Sequence, residues 1–80
     1  MVIDVNVATM QGEAEGLCLP DVRATYRFLT ARLNEGKRCA LVIRVPHDCS
    51  AEEFVGFMND AWDIVALCAK AKWPISFGLA

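Results

Sequence analysis

Hydrophobic and polar positions divide the chain into six segments. Residues 1–7 alternate, with Ile3, Val5 and Val7 on one side and Val2, Asp4 and Asn6 on the other. That is the pattern of a strand with one wet face or of an edge strand. Residues 8–18 hold Gly12, Gly16, Glu13 and Glu15 and read as a loop, with one helical turn around 11–15. A helix follows, opened by Leu19-Pro20-Asp21 and ended at Gly36. Within it Val22, Tyr26, Leu29 and Leu33 recur at i, i+4, i+7 and i+11, and Phe28 broadens their face. Arg23, Arg27, Thr30 and Asn34 point the other way. Residues 38–45, RCALVIRV, are apolar on both faces, which predicts the most buried, central strand, stopped by Pro46. Residues 74–80, PISFGLA, alternate again and predict a peripheral last strand.

The longest periodic stretch is 50–72, SAEEFVGFMNDAWDIVALCAKAK. Ser50 followed by Glu53 is a capping box, in which hydroxyl and carboxylate satisfy backbone N–H groups that the first turn leaves unpaired. Glu52 and Glu53 in the first turn and Lys70 and Lys72 in the last suit the helix dipole, and Pro74 prevents continuation. Phe54, Phe57, Met58, Ala61, Ile64, Val65 and Cys68 share one face; Glu52, Asn59, Asp60 and Asp63 share the other, with Gly56 among them. A single helix of this length is roughly 33 Å long and outruns the strands. A bend or break near Gly56 or Asn59-Asp60 is therefore expected.

The order strand, long loop, helix, strand, helix, strand predicts one α+β domain over residues 1–80: a three-stranded antiparallel sheet packed with two to three helices. The length of 8–18 lets the first helix return across the sheet, and outer strands that alternate suit antiparallel pairing. A small parallel α/β layer is the alternative.

Eighty residues bury only about 60% of their unfolded surface, yet 55% hydrophobic and 22% charged residues belong to a folded domain. No apolar run approaches the roughly 20 residues of a membrane span, and the first residues lack the basic and apolar regions of a secretory signal. A cytoplasmic location is expected. Cys18, Cys39, Cys49 and Cys68 contain no CxxC pair and are expected as reduced thiols. A monomer or dimer is consistent with this, a disulfide-linked dimer requiring an exposed thiol such as Cys68.

The net charge of −2 conceals segregation. Asp4, Glu13, Glu15 and Asp21 precede any cation; Arg23, Arg27, Arg32, Lys37, Arg38 and Arg44 then face Glu35 alone. Asp48, Glu52, Glu53, Asp60 and Asp63 follow without one Lys or Arg among them. Pairing along the helix cannot neutralise that block, so Asp48, Glu52, Glu53, Asn59, Asp60 and Asp63 are the candidate partner-binding residues, suited to a basic protein surface. Arg23 and Arg27 with Tyr26, Lys37, Arg38 and Arg44 are the competing candidate, a phosphate-binding patch of a small nucleic-acid-binding or regulatory module. Tyr26, at helical spacing, is the more simply read as core. His47-x-Cys49 supplies neither the four ligands of a zinc site nor the oriented base of a nucleophilic dyad, so no catalytic, cofactor or metal residue is assigned. Trp62 and Trp73 read as partial core residues that could also anchor an interface.

The opening MVIDVNVATMQGEAEGLC, the CALVIRVPHDC stretch and the length resemble the small phage-encoded anti-CRISPR proteins, type I-C inhibitors in particular. The resemblance spans essentially the whole chain and carries no motif from which a functional residue transfers. It implies a non-enzymatic protein that binds the Cascade surveillance complex in the host cytoplasm and blocks interference with target DNA, without cofactor and without direct contact to nucleic acid.

Overall fold

A computed structural model describes all residues from 1 to 80. Five strands and three helices follow in the order β1 (Val2–Asn6), β2 (Gln11–Ala14), β3 (Leu17–Leu19), α1 (Val22–Asn34), β4 (Ala40–Val45), α2 (Ala51–Asp60), α3 (Trp62–Lys70) and β5 (Ile75–Leu79). They form one mixed sheet in the order β3-β2-β1-β4-β5. β1, β4 and β5 are parallel neighbours, and β2 and β3 extend the sheet antiparallel from β1.

The three-stranded antiparallel sheet expected from the sequence is thereby corrected, and the small parallel layer with it. Residues 8–18 are no loop but a hairpin that adds two strands. Asn6 begins the first turn: its carbonyl accepts from Met10 N–H at 2.7 Å and its side-chain oxygen from Ala8 N–H at 3.0 Å. Glu15 and Gly16, at φ 49° and 82°, form the second, and Ala14 and Leu17 close it as a pair. Positive φ at both central residues is what a two-residue hairpin needs to match the twist of its strands, and glycine makes one of them free of strain. The alternation of the outer strands has a different cause from antiparallel pairing: one face of the sheet is left to water.

Across the covered face run two rows, Ala14-Ile3-Leu41-Ile75 and Leu19-Gly12-Val5-Ile43-Phe77. Ile3, Val5, Leu41 and Ile43 are fully buried there, beneath Leu29 of α1 and Ile64 and Cys68 of α3. α1 reaches the sheet through Thr25. A Cβ at Gly12 would stand 3.0 Å from the Thr25 hydroxyl, so the position takes glycine because the helix comes so close. Thr25 is buried without penalty because its hydroxyl donates to Asp21 C=O at 3.0 Å.

The helix ends follow local rules. The Asp21 carboxylate accepts from Ala24 N–H at 2.8 Å, and the Ser50/Glu53 capping box closes through bonds of 3.1 and 3.2 Å. At the C-terminus of α1, Gly36 is left-handed and Lys37 N–H donates back to Arg32 C=O at 3.0 Å. α3 ends the same way, with Lys72 left-handed at φ 61° and Trp73 N–H on Cys68 C=O at 2.9 Å.

The stretch 50–72 is two helices. They part at Ala61, one residue beyond the expected Asn59-Asp60, where φ −95° and ψ 5° leave the helical range. Ala61 itself stays bonded to both helices: its N–H donates to Phe57 C=O, and its C=O accepts from both Ile64 and Val65 N–H. Ala61 is fully buried, so the break itself lies in the core.

Candidate interaction surfaces

Three surfaces hold side chains that the core does not use. The first is α2. No residue of this helix is buried; Phe54, Phe57 and Met58 only lean inward, and the Phe54 ring meets Phe77 of β5 at 5.8 Å between centroids. Its outer side carries Glu52, Asn59 and Asp60, with Glu53 on the flank and Asp48 in the preceding turn, all exposed. The ion pairs of the protein join Arg32 and Lys37 to Glu35 and Arg44 to Asp4, so none of the α2 carboxylates has a cation within reach. Glu53 also accepts from Ser50 N–H in the capping box, and the charge of the others is turned to solvent.

Asp63 does not share that surface. The break at Ala61 places it on α3, in the second surface, a groove of about 1100 Å³ between α1 and α3. α1 contributes Val22, Arg23, Tyr26, Arg27 and Leu33; α3 contributes Trp62, Asp63, Ala66, Leu67 and Lys70. Each helix thus offers i, i+1, i+4 and i+5, one face in both. Arg23 and Arg27 stand beside Tyr26 as the sequence suggests, but Tyr26 is 41% exposed and not core, and Leu33 is 40% exposed. Trp62, 60% exposed, joins them from the other helix, while Trp73 is buried. Lys37, Arg38 and Arg44 lie outside the groove. Leu33, Ala66, Leu67 and Lys70 were not legible as surface residues from sequence, although Leu67 and Lys70 stand one turn beyond Asp63 and Ala66 on the same face.

The third surface is the open face of the sheet. Asp4, Asn6, Gln11, Glu13, Cys18 and Arg44 line a shallow polar depression of about 500 Å³ there. Arg44 Nε donates to Asp4 Oδ1 at 2.7 Å, and the guanidinium lies over Gly78, where a Cβ would come within 2.8 Å of Nη1.

The thiols are all free. Cys68 is not the exposed one: it is fully buried, and Cys18 stands exposed. Burial, reinforced by nearby Cys39, pushes the Cys68 thiol up to about 11. Burial also raises Cys39, against the opposing pull of the N-terminal ammonium and Arg32. Cys49 is raised by desolvation and then by the negative charge of Glu53 and Asp48, and its Sγ donates to Ser50 C=O at 3.2 Å. A thiol so held is a poor nucleophile. No group of three or more His, Cys, Asp or Glu side chains is arranged to hold a metal ion, and no helix is long and apolar enough to cross a membrane.

Comparison with protein-family models, with curated proteins and with solved structures gives no match for this chain.

Proposed function

We propose that this chain is a non-enzymatic protein–protein inhibitor that lays the acidic face of α2 into a basic groove of its partner. The observation that carries the reading is a helix with no buried residue and no ion pair, whose carboxylates Glu52, Glu53 and Asp60, with Asp48 before them, all face water. The apolar stripe of α2 is half-buried, with Phe57 and Met58 packed against the core; its opposite side presents charge, and charge of one sign directs encounter with a surface of the other. The partner proposed is the one implied by the resemblance to anti-CRISPR proteins, a type I-C Cascade complex, whose nucleic-acid-binding surfaces are basic.

The test uses the purified complex, immobilised, and the full chain in solution. Binding is expected, and Glu52→Lys with Asp60→Lys is expected to weaken it by about tenfold or more, with thermal unfolding unchanged. Unaltered affinity of the double variant would remove the acidic face from the reading. Absence of binding by the wild-type chain would remove the partner.

A further inference from the structure

We infer that the α1/α3 groove is a second docking site, and that it takes an acidic amphipathic helix of a partner protein. This rests on a surface distinct from α2 and of opposite charge. Its floor is aliphatic and aromatic: Val22, Leu33, Ala66 and Leu67, flanked by the exposed rings of Tyr26 and Trp62. Exposed large apolar side chains occurring singly are ordinary, but here three of them, Tyr26, Leu33 and Trp62, converge on one depression. Trp, Tyr and Arg are the residue types that carry most binding energy at interfaces.

The rim selects the sign of the occupant. Arg23, Arg27 and Lys70 form no ion pair, and even Asp63, which shares the groove, is not paired with any of them. Three unneutralised cations against one carboxylate leave the groove positive in a chain whose total is −2. From Val22 to Leu33 the groove runs about 16 Å along α1, room for about three turns of a helix. Two helices with an apolar furrow between them receive a third by the helix-in-groove mode, its apolar side chains at i, i+3, i+4 and i+7 pointing down and its carboxylates reaching the rim.

Two other occupants fit less well. Single-stranded nucleic acid is held by successive stacking rings along a basic track, whereas four of the six floor side chains here are aliphatic and a carboxylate stands among the cations. The acidic helix of a second copy, α2, already turns Phe54, Phe57 and Met58 inward and has no apolar stripe to offer.

The experiment titrates the full chain with a labelled synthetic helical peptide bearing leucines at i, i+3, i+4 and i+7 and glutamates on either side. A peptide with lysines for glutamates and a single-stranded oligonucleotide run in parallel. Fluorescence anisotropy measures binding, and a shift of tryptophan emission on binding reports Trp62, since Trp73 is already buried. The acidic peptide is expected to bind with a blue shift of emission. Trp62→Ala, and separately Arg23→Glu with Arg27→Glu, are expected to weaken it by about thirtyfold or more. All these side chains are exposed, and circular dichroism verifies that each variant is folded. Equal binding of the lysine peptide, tighter binding of the oligonucleotide, no effect of either variant, or no binding of the acidic peptide would each overturn the inference.

Discussion

The two halves of the helical layer are built to different standards. Over β1 and β4, Leu29, Ile64 and Cys68 close on Ile3, Val5, Leu41 and Ile43, all fully buried. At the β5 margin nothing is buried: α2 contributes no core residue, and Phe77, Leu79 and Val55 are each more than half exposed. Both regions are amphipathic in sequence, so periodicity does not separate them. Position does. α3 lies on β4 and β5 with α1 packed along its side, and so closes on the core from two directions. α2, by contrast, reaches the core only through the half-buried Phe57 and Met58 and meets β5 through the one contact of Phe54 with Phe77. The chain therefore carries a core that holds it together and a margin free to meet something else.

Substitutions can break or sharpen this contrast. Leu41→Ala, in the centre of the core, is expected to cost about 3 kcal/mol in chemical denaturation. Phe54→Ala, at the margin, is expected to cost about 1 kcal/mol, the burial of part of a ring and one tilted aromatic contact. Similar costs for the two would erase the distinction. Ser50→Ala removes the capping box and is expected to cost about 1 kcal/mol, with amide exchange accelerated in α2 and unchanged in α3 if the break at Ala61 lets them open separately. Uniform acceleration through both helices would make them one cooperative unit.

The effect that is absent at neutral pH belongs to the alkaline range. In the fold the Cys68 thiol is raised from its ordinary value of 9.0 to about 11, and Cys39 is raised in the same direction. At neutral pH both are protonated whether the chain is folded or not, and they contribute no pH dependence. As pH rises through 9.0 towards about 11, the unfolded chain ionises first, so stability falls across that window and levels off above it. Cys68→Ala is expected to flatten the decline in denaturation midpoints measured over that range. An undiminished slope would place its origin elsewhere than in the core thiols.

Much of the local structure is legible in residues close together along the chain. Ser50 with Glu53, Asp21 before α1 and Gly36 after it mark helix ends because capping is settled by hydrogen bonds reaching only a few residues. The alternation of Ile3, Val5 and Val7 and the hydrophobicity of residues 38–45 likewise announce their strands. The hairpin of β2 and β3 is less legible. Gly12 and Ala14 are weak strand formers, held by pairing with β1 and β3 and, at Gly12, fitted to the close approach of Thr25 from α1.

What the tertiary structure alone decides is which surfaces meet. Parallel pairing of β1, β4 and β5 joins segments dozens of residues apart, and alternation, which records only that one face is wet, cannot specify it. On α1 the sequence offers Tyr26 for the core, but the space above Gly12 admits only the small Thr25, and Tyr26 turns out into the groove. On 50–72 the sequence presents one acidic row; the break at the buried Ala61 divides it, leaving Glu52, Asn59 and Asp60 on one surface and setting Asp63 beside Arg23, Arg27 and Lys70 on another. Residue order determines the charges the chain carries and where its helices begin. Close packing of distant segments determines which charges face the same partner.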